Sequence, residues 1–226
     1  QLLPNAQVNI EYRNREDQIP FDKRYPIINP LFKAIDEIWE IIQLRNSDNK
    51  INQGAYIFDV PYFNEEVIRE AVLNAIAHRD YTISSEVVIK QSPESLRVLN
   101  PGGFPKGVTL DNLIRINSTP RSRLLTEIKE KTGLVERSGQ GVDKIYRITL
   151  SEGKSEPDYT KSDLFQVELY LNGKMEDKAF HIFIRNFYER VQNEDLLGPH
   201  DVIGLFNIKE NKSEKVDKEI IQKLED

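Results

Sequence analysis

Residues 63–81, FNEEVIREAVLNAIAHRDY, restrict this chain more than any other stretch. Their periodicity predicts one helix, with Asn64 as its N-cap. Val67, Ile68, Ala71, Val72, Ala75 and Ile76 recur at helical spacing and form the stripe to be buried. Beside it, Glu66, Glu70, Asn74 and His78 recur every four residues, so they stack along one face. Two carboxylates, an amide and an imidazole in a row are either a solvated helix edge or one wall of a site. Glu66 lies in the first turn, where a negative charge complements the helix dipole.

The surroundings of this helix suggest a fold. Residues 7–13 alternate as a strand, and 14–26 are polar and proline-punctuated, as in a loop. Asn29 is placed to cap a helix that has Pro30 in its first position and runs to about Gln43. Its core side carries Leu31, Ile35, Ile38, Ile42 and Trp39. A polar turn over 46–54 and a short strand over 55–60 lead to Pro61. Strands over 86–91 and 95–99 are joined by Ser92-Pro93-Glu94, a hairpin turn. Short helices are expected at 109–114, capped by Thr109, and at 119–131, ended by Gly133. A further helix follows Gly141, then a strand over 163–171 with Phe165, Val167, Leu169 and Leu171 on one side. In the helix expected at 174–193, Phe180, Phe183, Ile184 and Phe187 share one face. Residues 200–226 are charged and promise little core, with a last helix near 214–224. The predicted class is α+β, a two-layer sandwich of helices on a mixed, mainly antiparallel sheet with a C-terminal helical segment. The divisions are 1–54 (strand and helix leading in), 55–172 (core) and 173–226 (helical extension).

Composition excludes several classes of function. The 226 residues carry a net charge of −6, which argues against a broad nucleic-acid-binding surface. No apolar run is long enough to span a bilayer. Without cysteine there are no disulfides or thiolate metal sites, which fits a reducing cytoplasm. The chain opens on Gln1 rather than Met, as a piece of a longer protein would. Charge is uneven: residues 106–147 hold nine basic and five acidic residues, a local excess suited to a compact anion.

Two glycine loops complete the pattern. Asn100-Pro101-Gly102-Gly103-Phe104-Pro105 follows a strand, and Ser138-Gly139-Gln140-Gly141 precedes a helix, where free N–H groups and the helix dipole favour an anion. Each loop alone is an ordinary turn.

In this order, Glu70 to Tyr81, the Asn100 loop and Glu136 to Ile145 resemble a divergent branch of the GHKL ATPases, the gyrase B, heat-shock chaperone, histidine kinase and MutL type. That branch occurs in bacterial helicase-like proteins and transcriptional regulators, commonly beside a Schlafen AlbA-type DNA-binding domain. The likeness is best over residues 55–172. It implies ATP and Mg²⁺ as ligands. Glu70 would be the general base, and Asn74 the Mg²⁺-binding amide. Asn100, Gly102, Gly103, Gly139, Gln140 and Gly141 would contact the nucleotide, and residues 105–138 would be the lid. His78 would either contact phosphate or cap the helix. Arg121 and Arg123 would reach phosphate or else pair on the surface. At Asn100 the family uses an aspartate for the adenine amino group, and an amide accepts that bond without charge assistance. His181 and His200 read as structural, and Arg79 and Asp80 as a local pair.

Two functions remain open at this point. One is an ATP-binding, slowly hydrolysing regulatory module acting on DNA through a domain outside this chain, with the Phe180–Phe187 face serving either as a homodimer contact or as intrachain core. The other is a non-catalytic scaffold of the same fold that mediates protein interaction without nucleotide.

Overall fold

The computed structural model describes residues 7–53, 56–114, 121, 141–191 and 197–210. Strands β1 (Val8–Tyr12) and β2 (Lys23–Ile27) lead to α1 (Leu31–Gln43). Next come β3 (Asp48–Gln53), β4 (Tyr56–Pro61) and α2 (Glu65–His78). Strands β5 (Val87–Gln91) and β6 (Ser95–Pro101) precede α3 (Gly141–Ser151). Then follow β7 (Gln166–Asn172), α4 (Lys178–Val191) and α5 (Pro199–Lys209). The main sheet has the order β2-β1-β5-β6-β7, and β3 pairs with β4 alone. All pairings are antiparallel except β1 with β5, where Val8 lies opposite Val87. The class is therefore α+β with a mixed, mainly antiparallel sheet. Among the described residues, no helix is long and apolar enough to cross a membrane.

Alternation along the strands turns one sheet face towards the helices. Val8, Ile10, Val87, Ile89, Leu96, Val98, Leu169 and Leu171 meet Ile35, Ile38 and Ile42 of α1, Val67, Ile68 and Val72 of α2, and Ile145 of α3. Trp39 packs against this core while partly buried. The opposite face is polar: Arg97 reaches Glu168 and Glu16, both at 2.5 Å, and lies over the Tyr170 ring.

Several local expectations are corrected. Residues 23–27 form a strand rather than a loop. Pro26 is tolerated because β2 is an edge strand, where a missing N–H breaks no ladder. The polar run 48–53 is β3, tied down by Asn49, whose Nδ2 donates to the Gly173 carbonyl (2.8 Å) and whose Oδ1 accepts from Met175 N–H (3.0 Å). The cap of α1 is Pro30, while the Asn29 side chain donates to Glu37 (2.7 Å). Residues 110–114 form turns, because Asn112 Oδ1 accepts from the Thr109 N–H (2.8 Å) and its Nδ2 donates to the Gly107 carbonyl (2.9 Å). Phe165, expected inside, is 78% exposed, since the strand begins only at Gln166. Phe183 is exposed although Phe180 and Ile184 are buried. Helix α5 contributes more than its charge suggested: Val202 joins Leu150, Phe180, Ile184 and Leu197 in a second small core. Apart from Arg121, the helix expected at 119–131 lies outside the described residues, as does the one expected at 214–224.

Candidate functional site

Helix α2 starts where expected, with Asn64 Oδ1 accepting from the Glu66 N–H (2.9 Å). Asn64 is itself held: its Nδ2 donates to Glu152 Oε1 (2.7 Å), just after α3. Glu152 also takes a bond from Lys154 Nζ (2.5 Å), and that lysine donates to the Pro61 carbonyl (2.8 Å). Lys154 is 4% exposed, and burial lowers its pKa. This network fixes the entry of α2 against the end of α3.

Further along, the two helices nearly touch. A Cβ on Gly141 would fall on Glu70 Oε1 and lie 2.9 Å from Asn74 Nδ2. Any larger residue there would displace the ends of the Glu70 and Asn74 side chains, so the constraint is one of space and not of an unusual φ. The predicted face therefore divides. Glu66 is exposed and pairs with Lys144 at 2.8 Å, in addition to its place in the first turn. Glu70 is buried, whereas Asn74 and His78 are half-buried. Asn74 Nδ2 is buried with no hydrogen-bond partner.

Asn74 and His78 line a cavity of about 120 Å³. Its floor is the sheet, through Val98 and Asn100 of β6 and Val167 and Leu169 of β7. Ala71 and Ala75 of α2, Gly141, Val142 and Asp143 of α3, and Phe104 and Tyr159 make up most of its walls. Asn100 is 5% exposed, and its Oδ1 is buried without a partner. Leaving such a buried oxygen unpaired among aliphatic side chains costs about 1–3 kcal/mol, so Asn100 is the candidate for meeting a ligand's polar edge. The volume is below the roughly 300–1,000 Å³ of pockets that enclose a whole drug-sized ligand, so it suits one flat ring.

The glycine loop behaves differently from a set of free donors. Gly102, at φ 92°, donates its N–H to the Phe165 carbonyl (2.7 Å), and Gly103 donates to Leu164 (3.2 Å). Of the two, Gly103 lines the cavity. Arg121 Nη2 donates to the Gly103 carbonyl (2.8 Å), and its Nη1 lies 3.6 Å from Asp80 Oδ2. In this structure Arg121 thus bridges the glycine loop and Asp80. Hydrogen bonds from Thr82, then the Arg121 charge, hold the Asp80 carboxyl below its usual range. The expected Arg79–Asp80 pair is replaced. Arg79 turns inward, donates to the Ser85 carbonyl (2.7 Å) and lies over the Tyr81 ring. Gly139, Gln140 and Arg123 lie outside the described residues.

Among the lining residues that sequence reasoning missed are Phe104, Tyr159 and Asp143. The Phe104 and Tyr159 rings stand 6.3 Å apart. Tyr159 is pushed far up by burial, then by Tyr146 and Glu70. Position 143 is the findable one, in the first turn of the helix that opens at Gly141. His181, read as structural, bonds the Ser151 carbonyl (2.7 Å), but His200 of α5 lies 3.7 Å from Asp143 Oδ2. Burial raises the Asp143 carboxyl above 3.8, and His200 opposes this in part. A raised acid holds its proton more tightly folded than unfolded, so its ionised form costs stability at neutral pH. Asp143→Asn should therefore raise the urea midpoint at pH 7, with the gain shrinking as pH falls towards the unfolded value of 3.8. A gain that grows in acid would show that the carboxylate is not penalised.

Comparison with known proteins adds the following. Residues 84–169 match a family described as "Putative ATP-dependent DNA helicase recG C-terminal". That match begins after α2 and takes in β5, β6 and most of β7. A search of curated proteins finds no match. Among solved structures, the DIP2311 protein from Corynebacterium diphtheriae superposes with a TM-score of 0.77 at 22% identity. The alignment covers 89% of this chain and 41% of that one, so this chain corresponds to less than half of that protein's length. At this identity the likeness establishes the fold. Over its matched residues, the chain is similar to an ATP-dependent, helicase-associated domain.

Proposed function

We propose that this chain is an ATP-binding module that hydrolyses ATP slowly and regulates a DNA-binding domain outside it. The observation that carries the reading is the unpartnered Asn100 Oδ1 on the floor of an apolar cavity whose opposite wall bears Asn74 and the N-terminus of α3. A flat base fits the aliphatic part. Phosphates would lie towards Gly141, where the helix dipole favours them. The match to an ATP-dependent family supports the same ligand.

Among the described residues, no cluster of three or more His, Asp or Glu could hold a metal unaided. Mg²⁺ keeps waters and phosphate oxygens as most of its ligands and asks for one or two protein oxygens. Asn74 Oδ1 would be that ligand, and the ion would neutralise phosphate charge. Glu70 would orient the attacking water and take its proton.

The test is calorimetric titration with ATP and Mg²⁺, with phosphate release measured for Glu70→Gln. Expected are ATP binding kept in the variant and release reduced by about 10²–10⁴-fold, the usual weight of a general base. Unchanged release removes Glu70 from its role. Absence of binding at millimolar ATP leaves the scaffold reading, which the internally bonded Gly102 and Gly103 N–H groups favour.

A further inference from the structure

Resting on the nucleotide-binding reading, we infer that the Asn100 carboxamide lets this cavity accept both 6-amino and 6-oxo purines. ATP and its hypoxanthine counterpart ITP would then bind within about tenfold of each other.

The argument starts from what the carboxamide can offer. It carries an acceptor oxygen and a donor NH₂ on the same plane, and a half-turn about its last bond exchanges them. In this structure Oδ1 has no partner, and no hydrogen bond to a described residue holds the amide in one orientation. The floor beside it is Val98, Val167 and Leu169, and the near wall is Ala71 and Ala75. None of these side chains can donate or accept, so none can favour one orientation. The ligand decides which way the group faces.

Selectivity against a near-identical ligand arises when that ligand leaves a buried group unpaired. Sites with a fixed donor or acceptor reject the wrong partner by about 10⁴–10⁵ for this reason. A 6-amino group would donate to Oδ1. A 6-oxo group would accept from Nδ2, with the ring N1–H donating to Oδ1. Neither base leaves the buried oxygen of Asn100 unmet, so the usual source of discrimination is missing.

A carboxylate at this position would behave differently. It has acceptors only when ionised, so a 6-oxo group would face it with like polarity. The experiment is competition binding of ATP and ITP to the wild-type chain, Asn100→Asp and Asn100→Ala, each checked for native circular dichroism. The wild type should bind both nucleotides within about tenfold. Asn100→Asp should favour ATP over ITP by more than tenfold. Asn100→Ala should weaken both by a similar factor, which keeps the test decisive if the aspartate variant does not fold. ATP binding with ITP weaker by more than tenfold in the wild type overturns this inference alone. An aspartate variant with the wild-type ratio also overturns it, as does an alanine variant as tight as wild type. Absence of ATP binding to the wild type overturns the nucleotide-binding reading itself.

Discussion

Gly141→Val is expected to remove measurable ATP binding while leaving the chain folded. A Cβ at this position would coincide with Glu70 Oε1 and crowd Asn74 Nδ2, so both side chains must leave their places or α3 must move away from α2. Either change alters the wall where phosphate and metal would be held. Overpacking of this kind costs about 1–3 kcal/mol of stability. The loss of affinity should lie at or above the upper end of that range, because misplacing positioned groups by even 1 Å can cost about a hundredfold. Calorimetry should show at least a hundredfold weaker binding, with native circular dichroism retained. Gly141→Ala, which adds the Cβ alone, should fall between the two. Wild-type affinity in the valine variant would mean that the nucleotide does not use the junction of α2 and α3.

Lys154→Ala should produce the largest loss of stability away from the sheet core. The ammonium is almost wholly buried and bridges the end of β4, through the Pro61 carbonyl, to Glu152. Removing one partner of a buried pair strands the other charge, at a cost of about 3–5 kcal/mol. That is a large share of the roughly 5–15 kcal/mol that holds a typical domain together. Lys154→Met with Glu152→Gln should recover most of it. This double variant leaves no buried charge, and the glutamine oxygen can still accept from Asn64. Urea denaturation of both variants provides the check. A single-variant loss under about 1 kcal/mol would place the pair among weak surface bridges instead.

How much of this was legible in the sequence follows from how local each cause is. Helix α2 could be read because its apolar stripe and its Asn64 cap are both short-range signals, and the structure bears out both. The class of fold could be read for the same reason. Strand β2 could not, because the acceptability of Pro26 depends on its being at a sheet edge, which only tertiary pairing decides. Strand β3 is equally opaque: its Asn49 side chain is held from residues 173 and 175, far along the chain. Within the candidate site, Glu70 and Asn74 announced themselves by spacing. Tyr159 did not, since it reaches the cavity from a loop with no motif. The division of the Glu66–Glu70–Asn74–His78 row depends on where α3 crosses α2. It buries Glu70 and leaves Glu66 outside with Lys144. No periodicity within one helix contains that information.

The parallel pairing of Val8 with Val87 has a consequence for how the chain is made. The β1–β2 hairpin is local and can form early, but the other edge of β1 stays open until β5 exists. At about 5–20 residues per second, the ribosome supplies that partner roughly 4–16 s after β1. Contacts so distant in sequence also slow folding, because the intervening chain must lose its freedom first. During that interval the unpaired edge and the apolar side chains Val8 and Ile10 are exposed to other nascent chains. Newly made protein is therefore expected to depend on chaperones most while residues 13–86 are emerging, before the sheet closes.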